Sequence, residues 1–142
     1  MRLSTKGRYA VMAMVDLARR QQERSVSLHD IAERQEISLS YLEQLFARLR
    51  RRGLVTSARG PGGGYRLARE AQAMTVAEIV LAVDEPIHAT RCRGKGGCMA
   101  RGERCLTHDL WEEMGRQIHD FLAGVSLADV AEGKLGAERR AA

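Results

Sequence analysis

Apolar and polar positions follow a helical period over most of this chain and a strand period in one short stretch. Gly7, Ala10, Val11, Met14, Leu17 and Ala18 share one face of a helix that Ser4 can cap and that should run to about Gln21. Ser27 with Asp30 forms a capping-box pattern ahead of Leu28, Ile31 and Ala32, predicting a second helix of only two turns to about Arg34. After the polar pair Gln35-Glu36, Ile37 can staple a third helix capped by Ser38, with Leu39, Leu42, Leu45, Phe46 and Leu49 as its core face and Gly53 at its end. Leu54-Val55-Thr56-Ser57 then reads as a strand, Gly60-Pro61-Gly62-Gly63-Gly64 as a loop tip, and Tyr65-Arg66-Leu67 as the returning strand. Two short helices joined by a tight turn over about 28–51, followed by a hairpin over about 54–67, predict a mainly α fold: a winged helix-turn-helix with a two-stranded wing.

The pattern changes in the second half. Thr75 with Glu78 opens a short apolar helix through Val76, Ile79, Val80 and Val83, which Asp84-Glu85-Pro86 stops. From Ile87 to Arg104 hardly any large apolar residue occurs, so this segment cannot build a core and needs an external staple. A longer helix is expected from about Leu106 to Ala123, with Leu110, Trp111, Met114, Ile118, Phe121 and Leu122 along one side. No partner of comparable length exists for it in the second half, and pairing with the same helix of a second copy would bury those groups, so a dimerisation helix and a homodimer are expected. Ser126 and Asp129 start a last short helix, and 133–142 should be a flexible tail. The organisation expected is thus a DNA-binding domain over 1–83, a ligand-bearing loop over 84–105, and the two terminal helices over 106–132.

Charge sharpens the choice of partner. The 142 residues carry 23 Lys plus Arg against 18 Asp plus Glu, a net charge of +5. The excess is concentrated where Arg48, Arg50, Arg51, Arg52, Arg59, Arg66 and Arg69 follow one another, which suits double-stranded DNA as a partner. The outer face of the third helix offers Ser40, Tyr41, Glu43, Gln44, Ala47 and Arg48; glutamine can pair with adenine, and a carboxylate can accept from the cytosine amino group. Arg59 stands at the base of the glycine-rich tip, where a guanidinium meets the strong negative potential of a minor groove. No Lys-Ser or Lys-Thr follows that tip, which argues against a nucleotide-phosphate cradle. No signal peptide and no membrane-spanning run are found, so a cytoplasmic location and no membrane partner are expected.

Chemistry concentrates after the fourth predicted helix. Three cysteines within fourteen positions do not suit a disulfide framework and point to metal or redox chemistry. Cys92 and Cys98 lie in a glycine-rich loop, while Cys105 and His108 stand three apart at a helix start. Three thiolates and one imidazole suffice for tetrahedral zinc or for a [2Fe-2S] cluster, whose irons each need two protein ligands. No C-x2-4-C pair of the structural-zinc kind is present, and wide loops between ligands favour the larger cluster. A thiol enzyme using Cys105 with His108 has nothing further to support it, since no third group orients the histidine and no C-x-x-C pair occurs.

Several motifs in order now carry a resemblance: Met1-Arg-Leu-Ser-Thr-Lys-Gly-Arg-Tyr-Ala, Ser40-Tyr-Leu-Glu-Gln-Leu-Phe, Arg59-Gly-Pro-Gly-Gly-Gly-Tyr, Ala89-Thr-Arg-Cys-Arg-Gly-Lys-Gly-Gly-Cys and Cys105-Leu-Thr-His. Together they closely resemble the Rrf2 family of transcription regulators, and within it the iron-sulphur cluster regulators, over nearly the whole chain to about Glu132. The resemblance implies a homodimer holding a [2Fe-2S] cluster through Cys92, Cys98, Cys105 and His108, with cluster-assembly proteins as donors. It implies repression of cluster-biosynthesis genes by the loaded form and control of other promoters by the apo form, with Glu43 discriminating between site classes. It also implies a major-groove surface of Ser38, Ser40, Tyr41, Glu43 and Gln44, and a minor-groove contact at Arg59. The chain departs from the family in one place: the segment Cys98 to Cys105 is one residue longer than its usual spacing.

Overall fold

The computed structural model describes residues 3–22, 24–92 and 96–135, so the tail expected over 133–142 lies outside the described residues beyond Leu135. The described residues form α1 (Thr5–Arg20), α2 (Leu28–Gln35), α3 (Leu39–Arg51), β1 (Val55–Ala58), β2 (Gly64–Leu67), a 3-10 turn (Ala71–Ala73), α4 (Val76–Ala82), α5 (His108–Ala123) and α6 (Leu127–Ala131). This is the mainly helical winged fold with an antiparallel two-stranded wing that the residue pattern predicts, and a long C-terminal helix is present as α5.

Local chemistry accounts for the ends of these elements. Ser27 accepts a hydrogen bond from the Asp30 amide, and Ser38 from that of Tyr41, so α2 and α3 are each capped as their serines foretell. Full capping boxes open α4 at Thr75/Glu78 and α6 at Ser126/Asp129. Ser4 departs from expectation: it occupies the cap position of α1, but its hydroxyl donates to the Glu85 carboxylate instead of satisfying the helix. Leu39 also departs, because it precedes the row that faces inward; it is exposed, whereas Leu42, Leu45, Phe46 and Leu49 are wholly buried.

The core is built around α1. Ala10, Ala13, Met14 and Leu17 have no solvent exposure and pack in one cluster with Ile31, Leu42, Phe46, Leu49, Met74, Ile79 and Leu127. Two alanines on this face let α4 and α6 approach α1 closely without steric conflict. The wing is fastened to this core by Val26, which exchanges backbone hydrogen bonds with Tyr65 at 3.0 and 2.7 Å. A side chain at Gly64 would meet the Val26 carbonyl at 2.4 Å, so the approach requires glycine there. Phe46 holds the other side, its ring edge-to-face with Tyr65 at 4.9 Å. The chain's last helix returns to the same core: Leu127 donates to Met74 O at 2.8 Å and Val76 to Val125 O at 2.9 Å, which lays the caps of α4 and α6 side by side.

One buried charge is part of this packing. Asp16 on α1 is 4% exposed and accepts from Arg34 at 2.7 and 3.0 Å and from Gln35 at 2.8 Å, tying the end of α2 to α1. Burial pushes its carboxyl up, but the hydrogen bonds from Arg34 and Gln35 and the charges of Arg34 and Arg20 outweigh this and hold it below its ordinary 3.8. Glu78 is likewise held below 4.5, first by the Thr75 backbone amide and then by Arg69 despite some burial. Both groups are depressed on folding, so their stabilisation is fully present above those ordinary values and is lost as pH falls through the lowered ones. Asp16→Ala is expected to cost about 2–3 kcal/mol at neutral pH. Urea denaturation should show that deficit shrinking below pH 4 as the wild type loses the same interaction, and an equal deficit at both pH values would refute the assignment.

Candidate metal centre and nucleic-acid interface

The segment carrying Cys92 leaves α4 from a clamped point. Asp84, with a left-handed φ of 60°, lies 3.7 Å from Arg48 and 3.9 Å from Arg52, both at the end of α3. Glu85 is buried and accepts from the Ser4 amide at 3.1 Å as well as from its hydroxyl. The chain then runs beside α5, so closely that a Cβ on Gly115 would stand 3.1 Å from the Ala89 nitrogen. The Cys98 to Cys105 segment closes on itself in a local turn: Met99 N donates to Glu103 O and Gly102 N to Met99 O, each at 3.0 Å. Gly97 lies flat against that turn, where a Cβ would come within 2.1 Å of the Gly102 carbonyl.

This folding gathers the predicted ligands. Cys92 Sγ lies 3.7 Å from Cys98 Sγ, and His108 Nδ1 lies 3.0 Å from Cys98 Sγ and 3.7 Å from Cys92 Sγ. Cys105 is less closely drawn in: its Sγ is 3.7 Å from Thr107 Oγ1, and it shares with Cys98, His108 and Trp111 a cleft of about 280 Å³. The helix begins at His108, later than the expected start near Leu106, so Cys105, Leu106 and Thr107 form the turn that enters it. His108 is 3% exposed, whereas Leu106 beside it is fully exposed.

The donor set fits a thiophilic metal. Two thiolates sharing one tetrahedral ion at about 2.3 Å stand about 3.8 Å apart, which matches the Cys92–Cys98 separation. A thiolate and an imidazole on one ion stand about 3.5 Å apart, and Cys98 Sγ lies 3.0 Å from His108 Nδ1, close to that separation. The thiols are electronically unlike. The Cys105 backbone amide lowers the Cys98 thiol, but burial and the adjoining thiols of Cys105 and Cys92 push it above its ordinary value. Cys105 is lowered, chiefly by the hydroxyl and then the backbone of Thr107, and by Cys98.

The predicted DNA-facing residues lie on α3, at its N-cap and on the wing. Ser38, Ser40, Glu43 and Gln44 are exposed together on α3, and Tyr41 is half-buried against Tyr9 with ring centroids 6.0 Å apart. Arg59 is exposed at the wing tip. Hydroxyl, amide and carboxylate groups thus form one face of a single helix, with a guanidinium on an adjoining hairpin. Residues 3–133 match the Rrf2 family, described as iron-dependent transcriptional regulators. The chain belongs to the Rrf2 family. It is 63% identical over 130 residues to the putative HTH-type transcriptional regulator ORF2 of Azotobacter vinelandii, which covers 92% of this chain and 79% of that protein. It is 58% identical over 132 residues to the HTH-type transcriptional regulator IscR of Xenorhabdus nematophila, covering 93% and 80% respectively. Among solved structures it is similar to T. potens IscR, with a TM-score of 0.76, 39% identity and 96% and 90% of the two chains covered. It is also similar to CymR (YrzC), the global cysteine regulator of B. subtilis, with a TM-score of 0.78, 34% identity and coverage of 93% and 97%. This Rrf2 chain is an IscR-like transcription regulator with a DNA-binding fold, and not an enzyme.

Within the Rrf2 fold the arginine run divides into two groups. Arg48, expected on the outward face of α3, is instead half-buried and bonds Val83 O and Asp84; Arg52 joins it at Asp84, and Arg69 pairs with Glu78 at 2.9 Å. Arg50 donates to Ser57 of the wing and Arg66 to Gln21 O, so both brace the hairpin. Arg51 and Arg59 are exposed and have no such partner among the described residues. The sequence reading missed three residues beside the two sites: Asp84, Thr107 and Glu112. Only Glu112 carried a readable signal, standing four positions after His108 on one helix face.

Gly97→Ala tests the loop architecture. The substitution is expected to push Cys98 away from Cys92 and to weaken cobalt(II) binding to the metal-free protein by about tenfold or more. Thiolate-to-cobalt absorption would report this, while the winged-fold melting profile stays within a few degrees of wild type. Unchanged cobalt affinity would show that the Gly97–Gly102 approach does not position the thiol.

Proposed function

We propose that this regulator senses iron-sulphur status through a [2Fe-2S] cluster held by Cys92, Cys98, Cys105 and His108. On this reading the homodimer represses cluster-biosynthesis genes when loaded and acts at other promoters in the apo form. The observation that carries it is the convergence of Cys92, Cys98 and His108 within hydrogen-bonding distances, with Cys105 on the same cleft, in a segment that lacks a core of its own. When bound, such a cluster supplies a pair of irons, each taking two protein ligands, and a redox-active centre. Cluster-assembly proteins are the donors this reading requires.

The residues of the chain do the rest. Cys92 reaches α3 through a short path, Pro86 to Asp84 and then Arg48 and Arg52, so a change in the order of the loop acts at the C-terminal end of the recognition helix. Leu110, Trp111 and Phe121 stand exposed along α5, and burial against the same helix of a second copy is the most economical cover for them. Two copies then present two α3 faces to the half-sites of a symmetric operator, with Arg59 entering the minor groove and Glu43 selecting among site classes. No helix among the described residues is long and apolar enough to cross a membrane, and the cytoplasm is the compartment this role requires.

A second reading, a winged-helix protein with a structural zinc site, is favoured by one observation. The ligand atoms of Cys92, Cys98 and His108 all lie within 4.8 Å of one another, a spacing suited to a single ion. Anaerobic purification with iron, sulphide and zinc analysis separates the two. About two irons and two sulphides per chain with red-brown colour supports the cluster; a colourless protein with one zinc that stays colourless on reconstitution overturns it. Cys92→Ala is expected to abolish cluster retention while DNA binding to some sites survives, read by gel shift at fixed salt. Arg59→Ala is expected to weaken DNA binding at all sites and to lower the salt-dependence slope by about one. An unaltered slope would remove Arg59 from the interface.

A further inference from the structure

His108 is the most deeply buried member of the metal cluster, and only one of its ring nitrogens is accounted for. Nδ1 faces Cys98 and Cys92 at 3.0 and 3.7 Å, while Nε2 is buried with no hydrogen-bond partner among the described residues. An imidazole that ligates through one nitrogen usually donates its other N–H to a fixed acceptor, which sets both the tautomer and the ring orientation. Two carboxylates on α5, those of Asp109 and Glu112, lie near the imidazole, and the one that meets Nε2 is that of Glu112. Glu112, one helical turn along α5, has its Oε1 3.8 Å from that nitrogen. This is longer than a hydrogen bond, but the Glu112 side chain is 44% exposed and has room to rotate towards a buried donor. Asp109, although also near the ring, is 90% exposed and pairs with Arg104 at 3.6 Å, and Glu113 pairs with Arg116.

We infer that Glu112 is a positioning residue that accepts the Nε2–H of His108 and so turns the unprotonated Nδ1 towards the thiols of Cys92 and Cys98. The inference rests on the metal-centre reading above and deepens it by naming the residue that prepares the histidine ligand. With the Glu112 carboxylate turned onto Nε2, that nitrogen would carry the ring proton and leave Nδ1 unprotonated beside the thiol of Cys98, 3.0 Å away. A metal would then meet a free Nδ1 lone pair without any change of tautomer. Leu106 and the exposed side of α5 play no part, so altering Glu112 leaves the core of α1, α3 and α4 intact.

The test uses the reduced, metal-free chain labelled with 15N-histidine. Two-bond proton–nitrogen spectra at alkaline pH, with His108 assigned from a His108→Ala variant, give its tautomer directly. The wild type is expected to be almost wholly Nε2–H. Glu112→Ala should raise the Nδ1–H share, whereas Glu112→Gln, which keeps a side-chain oxygen acceptor, should retain the wild-type tautomer. Cobalt(II) titration of the same proteins is expected to show affinity falling by about tenfold to a hundredfold in Glu112→Ala and less in Glu112→Gln. An Nδ1–H wild type, or a Glu112→Ala tautomer indistinguishable from wild type, overturns the inference. So does cobalt affinity unchanged in Glu112→Ala while His108→Ala weakens it. If His108→Ala binds cobalt as the wild type does, the ligand role of His108 fails first and takes the inference with it, and the two failures are thus distinguishable.

Discussion

Burial of one face of α1 is the constraint on which the rest of the molecule depends. Ala10, Ala13, Met14 and Leu17 are inaccessible to water because α2, α3, α4, α6 and the second wing strand all lie against that helix. A domain of this size has little apolar area to spare, so elements that share a single central helix reinforce one another's burial. The recognition helix, the wing and the chain's last helix are thereby held in one frame. The buried Asp16 adds direction to this packing, since a carboxylate that needs Arg34 and Gln35 as partners admits only one placement of the end of α2.

The same frame explains why a segment without a core can hold Cys92, Cys98 and His108 close together. The loop leaves the frame at Asp84 and Glu85, which are tied to α3 and to the start of α1 respectively. It returns through α5, whose far end is anchored where Val125 and Leu127 pair with Val76 and Met74. Between those fixed points, close backbone approaches at Gly97 and Gly115 replace the side-chain packing that the composition cannot supply. The result is a loop with fixed ends, no apolar interior and a buried imidazole.

Charge has been divided between architecture and recognition. Arginines that look alike along the chain have different fates: Arg48, Arg52 and Arg69 are spent against Asp84 and Glu78, and Arg50 and Arg66 brace the hairpin, while Arg51 and Arg59 face outward without such partners among the described residues. Net charge therefore overstates the surface available to nucleic acid. It also means that Asp84, at the base of the cysteine-bearing loop, is linked to the end of α3 through ordinary ion pairs with Arg48 and Arg52, each weak and half-exposed.

What the residue sequence determined by itself is what depends on near neighbours. The helical faces of α1 to α4, the capping boxes at Thr75/Glu78 and Ser126/Asp129, the glycine-rich hairpin and the run of thiols with His108 are all patterns spanning a few positions, where backbone period and side-chain chemistry act locally. The tertiary structure decided whatever joins distant positions. It turned the Ser4 hydroxyl from its helix to Glu85, left Leu39 outside the core, drew Arg48 inward to Asp84, and brought Cys92, Cys98 and His108 into one mutually close trio. These outcomes follow from competition among partners far apart in the chain, where burial and hydrogen-bond satisfaction in the assembled core outweigh the preference of any short segment.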